Sequence, residues 1–333
     1  MQHEAQKDQS KAPGPGPAPA GSPAGAGAGM RDQLRTMNYA EGAAAVQPKR
    51  TKPVYDEAQH LDDPEMAKDD KTHEREGHEY KRMEGRLFVR GVRAQDICQG
   101  WLSDCYLAAA LSAVAQRDPG AIKDAITEQG GDVFKVRFYD VEWDGTKSAR
   151  SVEVDADFPW YQDKNTWAYL QSTAKGELWP AILEKAYAVF KAGGKGDYDT
   201  IGQGGYEGDV MEAITGRQSD YSDVADMDDD ALWQQLQDAA ANKQAMTAGT
   251  YSEKKGPDGK EDERYHNTGI HGDHAYTVMG VRTHGRGKNK KRFVVLRNPW
   301  GEGEPTGDGK DDGIFECPLE TFKKSYETLT TLE

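Results

Sequence analysis

The longest apolar stretch of this sequence, Cys105 to Ala115, constrains the fold more than any other segment. It is too short to span a bilayer, which takes about 20 residues. Ser103 and Asp104, just ahead of it, are both good N-cap types, so a helix is expected to start at one of them and run through Tyr106–Gln116. Leu107, Leu111 and Val114 fall on one face at helical spacing. A helix this apolar has to be buried in a packed core, and a cysteine stands at its first turn.

The chain of 333 residues is long enough for one large domain or two lobes of ordinary size. Only 36% of the residues are hydrophobic and the mean hydropathy is −0.87, so part of the chain is expected to lie outside any core. The formal charge of −15 argues against nucleic acid and anionic membrane as main partners, and nothing calls for integral membrane contact. Three cysteines, Cys98, Cys105 and Cys317, are not a disulfide framework; they suit a reducing compartment or an enzyme with a free thiol. The first residues, MQHEAQKDQS, lack the apolar run of a signal peptide. The expectation is a soluble protein, either cytoplasmic or delivered by a route that reads no such signal.

Residues 11–29 are a Pro/Gly/Ala tract expected to be flexible, and residues 30–48 have the makings of one short helix. Residues 56–86 are dense in charge and poor in large apolar groups. The chain therefore divides into a leader (1–55), a charged linker (56–84), a helix-rich part (85–207) and a β-rich part (208–333). Strands are expected at 133–143, 149–158, 244–250, 274–282 and 292–297, and helices at 179–190, 208–215 and 228–241. Helices first and strands second define an α+β fold with two unlike lobes.

The segment Asp96-Ile97-Cys98-Gln99-Gly100-Trp101-Leu102-Ser103-Asp104-Cys105-Tyr106 carries the chemistry. A cysteine at a helix start lies near free backbone N–H groups and the positive end of the helix dipole, and both favour thiolate. Gln99 can fold its side-chain amide back beside the sulfur, and with the Cys105 N–H would make an oxyanion hole. Downstream, His274 opens an apolar strand, and Asn298 ends a strand before Pro299 and Trp300. A thiol nucleophile needs a base, and the base needs a partner that fixes its tautomer. Cysteine, histidine and asparagine follow in the order of papain-type proteases. Trp300 is placed to shield the His–Asn hydrogen bond from water.

These pieces, with LWPAILEKAYA, GGYEGDVMEAITG, DHAYTVMGV and LRNPWGEGE, follow one another as in the protease core of the calpains, and the chain resembles that family over residues 86–316. The resemblance implies a two-lobed papain-like cysteine endopeptidase acting on flexible segments of protein substrates. It implies Cys105, His274 and Asn298 as catalytic residues and Gln99 as oxyanion donor. It also implies calcium, an ion that takes roughly six to eight oxygen ligands. The first site would use the side chains of Asp96 and Glu177 and the carbonyls of Val89 and Gly91. The second would use Glu304 with Asp311 or Asp312, in a loop that otherwise differs from the family's. Calcium would draw the lobes into an active arrangement. Three positions depart from the pattern: Ser103 for glycine, Tyr106 for tryptophan, and Asp273 for the glycine before the base. Asp273 is expected to raise the pKa of His274.

His266, His271 and His274 with Asp262 and Asp273 read as solvated loop residues rather than a transition-metal site, and by resemblance their loop gates the cleft. Residues 37–48, MNYAEGAAAVQP, resemble segments ahead of bacterial toxin or effector domains; a disordered tail and a removable propeptide are the other readings of the leader. Two rivals remain. A transglutaminase-like acyl transferase would pair histidine with aspartate, and Asn298 argues against it. A catalytically inactive, protease-like binding module would have no need to keep Gln99, Cys105, His274 and Asn298 together.

Overall fold

A computed structural model describes residues 60–67, 78–252, 262–305 and 309–333. The leader expected over residues 1–55, with its Pro/Gly tract and short helix, lies outside the described residues.

Strands His78–Arg82 (β1) and Ile97–Cys98 (β2) precede helix α1, Cys105–Arg117. Every residue of α1 from Tyr106 to Ala115 is buried, which is why its sequence is apolar on all faces. Asp118 closes α1, and its carboxylate accepts from the Ala121 N–H at the start of α2 (Pro119–Ala125), where Pro119 occupies the first turn. Strands Ile126–Gly130 (β3), Val133–Val141 (β4) and Lys147–Asp155 (β5) form an antiparallel sheet in that order. Strands Asp157–Tyr161 (β6) and Thr166–Trp167 (β7) join β1, and Gln171–Ser172 (β8) pairs with β2. Helices Trp179–Ala192 (α3) and Glu207–Thr215 (α4) complete this half, each ending at a glycine with positive φ.

The second half holds Ser219–Asp223 (β9), Asp229–Ala241 (α5), Met246–Thr250 (β10), Ala275–His284 (β11), Lys291–Arg297 (β12), Ile314–Pro318 (β13), Leu319–Ser325 (α6) and Tyr326–Leu332 (β14). Its strands form one antiparallel sheet in the order β13-β12-β11-β10-β14-β9. The architecture is α+β, with one large hydrophobic core centred on α1, α3 and α4 and a second between the six-stranded sheet, α5 and α6.

The small side chains of α1 let β11 lie against it. The Thr277 hydroxyl donates to the Ala109 carbonyl at 2.8 Å, and Gln116 Nε2 and Arg117 Nη2 both donate to the Met279 carbonyl at 2.9 Å. The two halves are thus fastened by bonds at Ala109, Gln116 and Arg117 of α1.

Packing also begins earlier in the chain than hydropathy implies. Within the segment read from sequence as a charged linker, His78–Arg82 pairs with β6, and Leu61 donates its N–H to Asp155 Oδ2 at 2.9 Å. The anchor is Lys185, which is buried and donates to Asp63, to Asp155 and to the Asp157 carbonyl. A buried ammonium with three acceptors is fully satisfied, so the charged residues of this stretch take part in the fold.

Candidate active site

Cys105 is the first residue of α1. The Ala275 N–H, one residue past His274, is hydrogen-bonded to its thiol, so the head of β11 abuts the sulfur. Gly205 lies beside this helix start because nothing larger fits: a Cβ there would sit 2.6 Å from the Tyr106 ring. The thiol is not poised as the sequence argument expects. Burial pushes it up to about 12, opposed by the Ala275 N–H and reinforced by the carboxyls of Asp104 and Glu207. Cys105 as a whole remains partly accessible, and its surroundings favour the neutral thiol.

Gln99 is held in place by two bonds from its side-chain amide, to the Leu102 carbonyl at 2.8 Å and to Asp104 Oδ1 at 3.2 Å. Its backbone N–H donates to the Pro299 carbonyl at 2.9 Å. The amide is therefore close to the start of α1, with both hydrogens engaged, and serving an oxyanion requires one of them to turn outward.

His274 precedes β11 and is buried. Thr250 brackets it: the Thr250 N–H donates to the His274 carbonyl, and the His274 N–H donates to the Thr250 hydroxyl. Asn298 follows β12 and is 1% exposed; its Oδ1 lies 3.0 Å from His274 Nε2. The Trp300 backbone N–H donates to the same Oδ1 at 3.2 Å, which identifies that atom as the oxygen. His274 Nε2 therefore carries the hydrogen, and Nδ1 is left as the proton acceptor. The Trp300 ring packs against the imidazole with centroids 4.8 Å apart, covering the His–Asn bond.

Burial lowers the His274 pKa to about 4, against the Asn298 hydrogen bond, which raises it. The rise expected from Asp273 is absent: burial dominates the shift, and the charged neighbour that contributes is His271, which lowers it further. Asp273 itself adopts φ +51°, a conformation that Asp tolerates and Gly prefers, so the exchange is conformationally permitted.

The loop before α1 is stitched to the turn after β12. Arg297, buried, donates to the Ile97 carbonyl at 2.6 Å, and the Cys98 thiol donates to the Trp300 carbonyl at 3.3 Å. Burial raises the Cys98 pKa, in keeping with a packed thiol. Sequence reasoning missed Arg297 and the buried acid Glu184. The one available signal for the latter was the charged pair Glu184-Lys185 inside an otherwise apolar helix.

Of the residues matched to the first calcium site, Asp96 is fully buried and takes the Arg93 backbone N–H, Nε and Nη2 on its carboxylate. Glu177 accepts from the Val89 N–H at 2.7 Å and from the Ser172 hydroxyl at 2.7 Å. Gly91 has φ +86°. Burial raises the Glu177 pKa, and the negative charge of Asp96 adds to it. Two buried carboxylates suit a hard cation, but the Arg93 guanidinium already neutralises Asp96 and would have to yield to it. At the second site, Glu304 and Asp311 line one surface depression with Gly303, Gly309 and Lys310; Asp311 accepts from the Gly303 N–H and Glu304 from the Asp312 N–H. Among the described residues, the cluster with metal-binding spacing is elsewhere, at His60, Asp155 and Asp157, where Arg82 and Lys185 already supply positive charge.

A thiol at a helix start and a buried imidazole whose tautomer is fixed by an asparagine thus sit on elements that pack together. Residues 56–314 match the family model described as calpain family cysteine protease, and the chain belongs to that family. It is 29% identical to calpain-9 of Mus musculus over 234 residues, which is 68% of this chain and 31% of that protein. It is 28% identical to calpain-14 of Homo sapiens (73% of this chain, 36% of that protein) and 31% identical to calpain-A of Drosophila melanogaster (68% and 26%). The chain spans about a third of the length of these relatives. Among the described residues no helix is long and apolar enough to cross a membrane.

Proposed function

We propose that this chain is an active, two-lobed papain-like endopeptidase in which Cys105 is the nucleophile, His274 its base, Asn298 the residue that orients the base, and Gln99 with the Cys105 N–H the oxyanion donors. The observation that carries this reading is the His274 Nε2–Asn298 Oδ1 hydrogen bond of 3.0 Å, which leaves Nδ1 free to accept a proton while the next residue's N–H engages the Cys105 thiol.

At rest both partners are neutral, with the thiol pKa high and the imidazole pKa low. As Cys105 Sγ attacks a peptide carbonyl carbon, its proton passes to His274 Nδ1. The carbonyl oxygen takes up negative charge opposite the Cys105 N–H and the Gln99 amide. The imidazolium, held by Asn298, then gives its proton to the leaving amine as the C–N bond breaks. A water attacks the acyl–sulfur carbon, loses a proton to His274, and the thiol is restored with release of the carboxylic acid. Calcium, when bound by Asp96, Glu177 and the Val89 and Gly91 carbonyls, would supply positive charge at the loop leading to Gln99; Glu304 and Asp311 would hold a second ion.

Cleavage of casein, measured with calcium and with chelator beside a Cys105→Ala control, tests this reading. Calcium-dependent cleavage absent from the control supports both the catalytic assignment and the calcium sites. Equal cleavage under both conditions keeps the protease and removes the calcium switch. A folded protein that cleaves nothing and reacts with no thiol-directed epoxide sinks the catalytic assignment.

A further inference from the structure

Behind the nucleophile two carboxyl groups meet with no cation between them. Asp104 is fully buried, Glu184 on the second turn of α3 is 1% exposed, and their side chains are hydrogen-bonded to each other. Such a bond requires a hydrogen on one of the two. Their remaining contacts decide which. Asp104 occupies the N-cap position of α1, where the helix dipole favours negative charge; its side chain bonds no backbone N–H of the helix, and its Oδ1 accepts from the Gln99 amide. Glu184 projects from an apolar helix and accepts the Leu170 N–H on Oε1 at 2.9 Å. Asp104 Oδ2 is buried, and no fixed N–H or O–H donor reaches it; a carboxylic O–H from Glu184 fills that need.

We propose that Glu184 is a positioning residue: a resident carboxylic acid that donates its hydrogen to Asp104 and so holds Asp104 as the acceptor that fixes Gln99 at the head of α1. Its effect on turnover rests on the protease reading above; the location of the hydrogen does not. Burial raises both acids, Asp104 to about 7 and Glu184 well above the usual carboxylate range, in the order the contacts require. The other titratable groups that feel the pair are Cys105 and Tyr106 of α1, Tyr80 of β1 and Tyr198. Lys185, the neighbour of Glu184 in sequence, spends its ammonium on Asp63, Asp155 and the Asp157 carbonyl.

Infrared difference spectroscopy of the full chain at neutral pH, wild type minus Glu184→Gln, reads the hydrogen directly. A protonated-carboxyl band in wild type that is missing from Glu184→Gln is expected. Absence of that difference overturns the inference, whatever the activity. In turnover, Glu184→Gln keeps an N–H for Asp104 and an oxygen for Leu170, and is expected to retain kcat within about threefold. Glu184→Leu leaves Asp104 without that donor and is expected to lose roughly 10²-fold in kcat with KM little changed. The alkaline limb of kcat should move in Glu184→Gln, which has no proton to lose. If Gln and Leu variants that melt as wild type does are equally impaired or equally active, the positioning role is overturned. A band with no proteolysis by wild type supports the hydrogen assignment and sinks the protease reading instead.

Discussion

The two sides of the site are buried to similar effect and respond in opposite directions. On the nucleophile side burial raises acids: Cys105 to about 12, with Asp104, Glu184 and Glu207 also raised. On the base side it lowers cationic acids: His274 to about 4 and Arg297 to about 10. The thiol and the imidazole are each held in their uncharged form. A helix N-terminus favours an anion by about 0.3–2 kcal/mol, on the order of one pKa unit. Burial moves Cys105 from 9.0 to about 12, so burial wins. The lesson is that burial outweighs the helix dipole here and favours the uncharged form of both the thiol and the imidazole.

The largest tests of this contrast remove one member from each side. Cys105→Ala and His274→Ala should each reduce casein cleavage at least 10³-fold; a residual rate near wild type in either would break the pairing. Next, Gln99→Ala should cost roughly 10²–10³-fold in kcat as an oxyanion donor, and Asn298→Ala roughly 10²-fold as an orienting group. If Asn298→Ala lowers kcat without altering its pH profile, the hydrogen bond to His274 is structural only.

Stability should report the same opposition. His274 has a folded pKa near 4, below its unfolded 6.5, so the unfolded chain binds more protons between those values. Folding free energy is therefore lost as pH falls from 6.5 toward 4, by roughly 3 kcal/mol at most, and His274→Gln should flatten that slope in denaturant titrations. The buried carboxyls run the other way: their folded pKa values are raised, so their contribution is lost as pH rises. The smallest effect is expected at the seam. Thr277→Val, which removes the hydroxyl bonded to the Ala109 carbonyl, should cost about 1–2 kcal/mol. A neutral result would mean that the seam does not depend on that bond.

What the sequence made legible was local. Apolar runs and N-cap types placed Cys105 at a helix start, and turn signals placed Asn298 after a strand, because a few neighbouring residues decide each outcome. What it hid was long-range. Asp104 reads as an N-cap and Glu184 as a charge within an apolar helix, and nothing local to either shows that the two carboxyls meet. The charged stretch around His60 and His78 looks like a linker because its buried partner, Lys185, is supplied from afar. Strand β14 is rich in threonine and lacks a clear apolar alternation, so only its place between β10 and β9 identifies it as an inner strand. The reversed pKa of Cys105 is hidden for the same reason: burial is a property of the fold, not of the helix start.

The place of β14 also sets a clock. The nucleophile is made early, at residue 105, but β10, whose Thr250 holds His274, lacks its second neighbour until residue 332 has been added. At about 5–20 residues per second, roughly 10 to 45 seconds of synthesis separate the two events. On the protease reading proposed above, the growing chain carries its thiol through that interval without the complete sheet that frames His274.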